Sequence, residues 1–214
     1  MKAISARMES AYNLALLFYL LSFFGWCGET ILFLNMWGRI LDRGFLTLPL
    51  CTIYGSTVIL TYALFGTPQD GRLRSLFQRT ADLPAERRVC LNILLYLLYF
   101  LLVMIPPTAL ELFVGVVFSR GLNNPLWDYG YHTFQLCGSI CVSQTLLWGM
   151  LLTVGMSLLW KPLYTLADRV PARVKQKIVW ILTVLVVLDF IVNFIFLLTQ
   201  GHALHLYGIE KNVF

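Results

Sequence analysis

The sequence predicts an all-α protein that crosses a membrane as a bundle of about five helices. Of its 214 residues, 58% are hydrophobic and only 13% are charged, and the mean hydropathy is +0.74. Several uninterrupted apolar runs also reach the roughly 20 residues that a helix needs to cross a bilayer. No stretch between these runs is long enough for a soluble domain, so we expect one integral membrane domain over residues 1–214.

Five apolar segments are the predicted spans, and short polar stretches separate them. The first span carries Glu29 and lacks a small-residue cleavage site, which indicates a retained helix rather than a signal peptide. The third contains Pro106 and Pro107, whose missing backbone donors predict a tilt or a break. The spans cover about residues 12–37, 45–65, 89–118, 131–160 and 178–199.

The cations collect in two loops, and this asymmetry predicts the orientation of the chain. Residues 66–88 carry five arginines, and residues 161–177 carry five lysines and arginines, including Lys175. The positive-inside rule places both loops and the amino terminus in the cytoplasm, so we expect a multi-pass protein of the inner or plasma membrane. Residues 75–80 are a candidate for a short amphipathic helix. The net charge of +5 is explained in this way, and we predict no nucleic-acid partner.

The five cysteines lie in or beside apolar runs, where cysteine behaves as a small hydrophobic residue. Cys137 and Cys141 are four positions apart and would share one face of a helix. Their surroundings do not follow the ligand spacing of a zinc site. We therefore predict no metal site and no cofactor.

One stretch, RGFLTLPLCTIYG at residues 43–55, is unusually polar for the entrance to an apolar span. It combines the cation of Arg43 with two glycines, Pro49 and the amphipathic side chain of Tyr54. A helix entry with an interfacial tyrosine explains this composition without any function. A re-entrant, ligand-binding segment is the alternative.

Three acidic residues fall inside predicted spans: Glu29, Glu111 and Asp189. Asp189 and Asn193 are four positions apart and share one face of the fifth span. A carboxylate in lipid costs several kcal/mol unless it is paired, protonated or hydrated. Ser22, Gly25 and Glu29 share one helix face, which indicates that this face meets protein or water rather than lipid. Both a structural hydrogen bond to another helix and a functional role are compatible with these residues.

A second constellation follows the third span. It begins with Trp127, Asp128 and Tyr129, and a glycine-marked segment continues to Trp148. In that segment the small and polar positions are expected to form one helical stripe: Gln135, Gly138, Ser139, Val142 and Ser143. Such a stripe is typical of helix packing, and a permeation lining is the alternative.

The sequence combines RGFL…P…IYG, the WDY motif, a helix ending in Trp148-Gly149 and the acids Glu29 and Glu111. Together these features resemble the family of putative ABC-transporter type IV membrane proteins. The resemblance covers roughly residues 15–160. It implies a permease-like, non-enzymatic subunit whose partner is a separate ATPase at loops 66–88 and 161–177, since the chain has no G-x-x-x-x-G-K-[ST] phosphate loop. Contact of these loops with anionic lipid is the simpler alternative.

This chain departs from the family pattern at four positions. Leu48 replaces an expected glycine, Thr52 a proline, Gln135 an asparagine and Ser139 an arginine. If these family positions contact a ligand, this member binds a different one or has lost the activity.

The predicted orientation brings the unusual polar residues to one level, in the outer half of the bilayer. We expect an outward-facing pocket for a cationic, zwitterionic or hydroxyl-bearing small solute, with aromatic walls and carboxylates partly balanced by a cation. Its candidate residues are Glu29, Arg43, Tyr54, Glu111, Trp127, Asp128, Tyr129 and Gln135.

Two other classes stay open from the sequence. A membrane-embedded enzyme acting on lipid or envelope substrates would use Glu29, Glu111 or Asp128 as acid or base, but no serine-nucleophile or HExxH motif accompanies them. A sensor or assembly protein would instead use the acids and Arg43 as ion pairs between helices. A homo-oligomer is an alternative to a monomer in each class.

Overall fold

The structure is a computed structural model that describes the backbone of residues 2–41, 44–204 and 208–210, with side chains described for residues 8–36, 38 and 44–204. It confirms the all-α class. The helices are α1 (Lys2–Trp37), α2 (Thr52–Phe65), α3 (Arg74–Thr80), α4 (Ala85–Val103), α5 (Ile105–Val116), α6 (Val142–Val154), α7 (Trp160–Arg169) and α8 (Ala172–Gln200). π-helical turns at Val117–Gly121 and Gly155–Leu159 extend α5 and join α6 to α7.

Within this described part, four helical segments are long and apolar enough to cross a membrane, and Thr52–Phe65 is a shorter apolar helix. The four are Met8–Met36, Ala85–Gly121, Val142–Arg169 and Ala172–Gln200. Their surfaces are reversed relative to a soluble protein: α8 exposes Ile181, Leu188 and Leu198 and buries Asn193. Exposed apolar side chains suit a lipid environment, so the chain is a multi-pass membrane protein.

Short strands form two antiparallel ladders at the ends of helices. β1 (Arg39–Leu41) pairs with β4 (Gly208–Glu210), which ties the chain after α1 to the carboxyl-terminal tail. β2 (Gln135–Leu136) pairs with β3 (Ile140–Cys141) in a hairpin.

The beginnings of two predicted spans differ from the helices. The chain before α2, from Gly44 to Cys51, is not helical, and the helix of the fourth span begins at Val142 rather than near residue 131. In the second case the backbone turns left-handed at Cys137 (φ 57°) and Gly138 (φ 67°), which ends any right-handed helix there.

Two sequence predictions about residues 135–143 are therefore wrong. Gln135 and Ser139 lie in or beside the hairpin, so they form no helical stripe with Ser143. Cys137 and Cys141 share no helix face either: Cys137 is exposed at the turn, and Cys141 is buried in β3.

The predicted break at the two prolines is confirmed. α4 ends at Val103 and α5 begins at Ile105, so Met104 alone interrupts the helix. The Met104 carbonyl accepts both the backbone N–H (3.2 Å) and the hydroxyl (2.7 Å) of Thr108. This double acceptance stabilises the turn that contains the prolines, although their own N–H groups are missing.

The described residues fall into two compact units. Unit 1 comprises residues 1–56, 117–126 and 166–214, and unit 2 comprises residues 57–116 and 127–165. In unit 1, α1 packs on α8 through a buried cluster of Tyr19, Leu46, Leu50 and Val179. The Tyr19 and Thr183 hydroxyls form a 2.7 Å hydrogen bond beside this cluster.

A polar network that the sequence did not predict joins three helices of unit 1. Lys175 is fully buried, and its ammonium donates to the Asn13 side-chain oxygen, while Asn13 Nδ2 donates to Asp168 Oδ1 at 2.8 Å. The prediction of a basic loop at residues 161–177 is therefore wrong in part: α7 ends at Arg169, α8 begins at Ala172, and Lys175 lies buried in α8. A buried ammonium needs such acceptors because leaving water is costly for a charge.

In unit 2, α4 packs against α6. Tyr99 of α4 is fully buried and donates its hydroxyl to the Gly66 carbonyl at 2.6 Å. Gly149 of α6 lies against Met104 and Phe100, where a Cβ atom would come within 2.5 Å of the Met104 side chain. α3, at residues 74–80, confirms the predicted short helix in the first basic loop.

Candidate functional site

The carboxylate of Glu29 is held within unit 1 by an aromatic residue of the next helix. Tyr54, in the first turn of α2, donates its hydroxyl to Glu29 Oε1 at 2.9 Å. Gly25, one turn before Glu29 on α1, makes room for the tyrosine ring: a Cβ at this position would lie 2.3 Å from Tyr54 Cγ. The predicted polar face of α1 is thus the face that receives α2.

We expect Gly25→Ala to lower the free energy of unfolding by about 2 kcal/mol, because the added methyl group overpacks the contact with Tyr54. Gly28→Ala is the matched control, since a Cβ at Gly28 meets nothing within 4 Å. Alanine also favours a helix over glycine, so the control should be neutral or stabilised by up to about 1 kcal/mol. Denaturant unfolding in detergent measures both. Equal stabilities of the two variants would contradict the close contact.

The non-helical segment at residues 44–51 is anchored to the middle of α8 by Asp189. This carboxylate accepts hydrogen bonds from the Thr47 hydroxyl and from the backbone N–H of Leu48 (3.1 Å). Asn193 Nδ2, one turn further along α8, donates to Asp189 Oδ1 at 3.0 Å. Non-helical backbone at membrane depth is tolerated only where its polar groups are satisfied, and Asp189 satisfies the backbone N–H of Leu48.

The ends of the same segment are also fixed within unit 1. The backbone N–H of Cys51 donates to the Ser22 carbonyl at 3.0 Å. The Phe45 ring contacts Phe118 and Phe190 with centroid distances of 4.9 and 5.3 Å. Arg43, the cation predicted to begin the segment, lies outside the described residues.

The second acid, Glu111, is buried in unit 2 and also contacts an aromatic donor. Trp148 of α6 donates its indole N–H to Glu111 Oε1 at 2.8 Å, and both side chains are buried. Gly115, one turn after Glu111, lies against Ser139, whose Cβ would be 2.5 Å from an added methyl group. The hairpin after α5 therefore packs one helical turn away from the acid.

The structure brings the other four candidates, Trp127, Asp128, Tyr129 and Gln135, together in the chain around the β2–β3 hairpin. Trp127 Nε1 donates to the Ser139 carbonyl at 2.8 Å, and the Tyr129 N–H donates to the Gly138 carbonyl at 2.8 Å. These bonds fold the WDY motif onto the hairpin turn.

The two polar side chains of this group support the same loop. Asp128 Oδ1 accepts from the Gly130 N–H at 2.7 Å, and Gln135 Oε1 accepts from the Gly138 N–H at 2.7 Å. Both residues are nevertheless exposed. Each of these bonds uses one side-chain oxygen.

The candidate residues thus form two groups, one within each unit. Glu29 and Tyr54 lie together in unit 1, whereas Glu111 lies in unit 2 with the hairpin group. Each unit contains the same local arrangement: an acid inside an apolar helix, a glycine one turn away, and an aromatic donor from the following span.

Sequence reasoning missed two side chains of these groups. Trp148 belongs to a sequence motif but was not a predicted site residue, and Asp189 was not among the predicted site residues either. The i, i+4 pair of polar residues in an otherwise apolar helix was the available signal for Asp189. Among the described residues, no group of three or more His, Cys, Asp or Glu side chains could hold a metal ion.

Comparison with known families gives one match. The model of the family described as "Putative ABC-transporter type IV" matches residues 16–194. Because this match covers most of the chain, the chain belongs to that family. No curated protein and no solved structure matches the chain.

Proposed function

With membership in this family as the premise, we propose that the protein is the permease-like membrane subunit of an ABC-type transporter. It binds a small solute through polar residues in the outer half of the membrane. The observation that supports this proposal best is the pair of membrane-embedded acids, Glu29 and Glu111, each held by an aromatic donor. Ionisable residues inside a membrane are costly, and they commonly mark solute or ion pathways.

The chemistry of the candidate residues favours a cationic, zwitterionic or hydroxyl-bearing solute. Carboxylates attract a positive group, and aromatic rings such as those of Trp127 and Tyr129 stabilise a cation over their faces. Asp128 and Gln135 are exposed on the loop that precedes α6, where an incoming solute meets them first. Arg43 is proposed to balance part of the negative charge.

The family's description suggests that an ATPase supplies the energy for transport. Residues 1–214 themselves contain no phosphate-loop motif. In the proposed orientation, with a cytoplasmic amino terminus, the ATPase contacts the basic loops at residues 66–88 and 161–177. The arginines of the first loop are exposed, and those available for such a contact are Arg74, Arg79, Arg87 and Arg88. Lys175 is excluded because it is buried.

A sensor or assembly role is the second candidate, and a specific observation favours it. Glu29 and Glu111 already accept hydrogen bonds within their own units, as purely structural acids would. The two candidates differ in one respect: a transport subunit binds a solute through these residues, whereas a structural acid only stabilises helix packing.

Thermal unfolding of the purified protein against a panel of cationic, zwitterionic and polyhydroxy solutes separates the two candidates. A solute present at about 100 times its dissociation constant stabilises the folded state by roughly 2.7 kcal/mol. We expect one solute class to stabilise the wild type but neither Glu111→Gln nor Asp128→Asn. Asp82→Asn, which alters an exposed acid of the first basic loop, is the matched control and should respond like the wild type.

The same unfolding measurements can also contradict solute binding. If no solute stabilises any of the proteins, and Glu111→Gln is itself strongly destabilised, the acids are structural and solute binding at these residues is excluded. The presence or absence of an ATPase that co-purifies with the chain tests the partner independently.

A further inference from the structure

Unit 2 also contains a cleft. It has a volume of about 890 Å³ and lies between residues 62–72 and residues 156–165. This volume is within the range of small-molecule sites, roughly 300–1,000 Å³. None of the candidate solute-binding residues lines it, so the cleft is distinct from the proposed solute site.

Aromatic rings form the inner wall of the cleft. The Tyr62 and Trp160 rings lie 4.1 Å apart between centroids, and Trp160 is also 6.2 Å from Tyr164. Trp160 is buried, and its ring packs against both tyrosine rings. Tryptophan and tyrosine are enriched at the level of lipid headgroups, where one end of the ring is apolar and the other is hydrated.

The charge of the lining is positive. Arg72 and Lys161 both line the cleft and are exposed, whereas Asp70 is the acid of the lining. The exposed side chains of Arg74 and Arg79 in α3 add further positive charge to the same loop region. The lining therefore favours an anion over a neutral or cationic ligand.

The position of the cleft along its helix places it at the end of the apolar layer. Residues 156–165 begin roughly 20 Å and end roughly 35 Å from the start of the helix at Val142, at 1.5 Å per residue. With Val142 placed at one boundary of a hydrocarbon core about 30 Å thick, residues 156–165 reach the opposite boundary. Leu64, Leu158 and Leu159 are exposed in the same part of the two helices and present an apolar surface on which an acyl chain can lie.

We propose that this cleft binds an anionic phospholipid. The phosphate is bound by Arg72 and Lys161, and the glycerol and upper acyl chain pack against Tyr62 and Trp160. A soluble anion would leave the aromatic wall unused, and a neutral lipid would leave the two cations without a partner. An acidic segment of a partner protein fits the charge, but it does not account for a site that continues into the apolar layer.

Phospholipid titration of the delipidated protein in detergent tests this proposal. Native mass spectrometry or thermal unfolding follows the binding of phosphatidylglycerol, phosphatidylcholine or inorganic phosphate. Each cation near an anionic headgroup contributes roughly a fivefold factor in affinity, so Arg72→Gln with Lys161→Gln should weaken phosphatidylglycerol binding by about 25-fold. The charge-conserving double variant, Arg72→Lys with Lys161→Arg, should restore most of it.

Arg87→Gln with Arg88→Gln is the matched control, because it removes two exposed arginines of the same basic loop that do not line the cleft. This control should bind phosphatidylglycerol as the wild type does. Equal binding of phosphatidylcholine, or binding of phosphate alone, would overturn the assignment to an anionic lipid. Unchanged phosphatidylglycerol binding by Arg72→Gln with Lys161→Gln would place the lipid elsewhere. If the wild type binds no lipid and this double variant no longer co-purifies with an ATPase, the cleft binds a protein partner instead.

Discussion

Asp189→Ala is expected to lower the free energy of unfolding by about 4 kcal/mol and to release the segment at residues 44–51. The substitution removes the acceptor of the Thr47 hydroxyl and of the Leu48 N–H. A donor removed from water that loses its acceptor costs roughly 2 kcal/mol, and the half-buried Thr47 and Leu48 donors both lose theirs. Asn193 Nδ2 also loses the carboxylate but keeps its bond to the Asp189 backbone carbonyl. Asp189→Asn keeps one acceptor oxygen, so we expect it to lower the free energy of unfolding by about half as much.

Release of the segment can be measured separately from global stability. Cys51 ends the segment and is 4% exposed, so its thiol should react slowly with a maleimide in the wild type and faster in Asp189→Ala. Peptide mapping distinguishes it from Cys90 and Cys137, which are exposed. Thr183→Val is the matched control, because it removes the hydrogen bond of α8 to Tyr19 but leaves the segment anchored. Faster labelling of Cys51 in the control as well would show that Asp189 does not hold the segment specifically.

The helical architecture followed from the sequence because apolar length alone defines a membrane helix. The runs that contain α1 and α8 are long and are bounded by polar residues, so both were predicted as spans. The hairpin at residues 135–141 was not predicted, because its residues are as apolar as those of a helix and its left-handed turn includes a non-glycine residue, Cys137. Hydropathy does not report backbone conformation.

The contacts of the candidate residues were only partly predictable, for a related reason. Glu29 and Glu111 were identifiable because a carboxylate in an apolar run is costly and requires an explanation. Their partners, Tyr54 and Trp148, lie 25 and 37 positions further along the chain, and the sequence contains no measure of which helices cross there. Lys175 shows the same limit: an apparent loop cation is buried, and its ammonium donates a hydrogen bond to the side-chain oxygen of Asn13 on another helix.

Removal of the hydrogen bond between Trp148 and Glu111 is the second change expected to lower the free energy of unfolding strongly. Trp148→Phe keeps most of the ring but removes the indole N–H that donates to the carboxylate at 2.8 Å. Hydrogen bonds to charged groups contribute about 1.5–3 kcal/mol to stability, and the smaller ring also leaves a void. We therefore expect the free energy of unfolding to fall by about 3 kcal/mol. Trp160→Phe is the matched control: this tryptophan is equally buried in unit 2, so its loss of about 1 kcal/mol reports the smaller ring and its contacts with Tyr62 and Tyr164 without a bond to Glu111.

A double-mutant cycle then separates the bond from the packing. Glu111→Leu removes the carboxylate, and combining it with Trp148→Phe replaces both partners by apolar groups, which is often nearly neutral for a buried polar pair. We expect a coupling energy of about 2 kcal/mol between the two positions, measured by denaturant unfolding in detergent. Additive losses would mean that the bond does not stabilise the fold. A stable double variant that has also lost solute stabilisation would show that the membrane-embedded carboxylate is retained for binding rather than for stability.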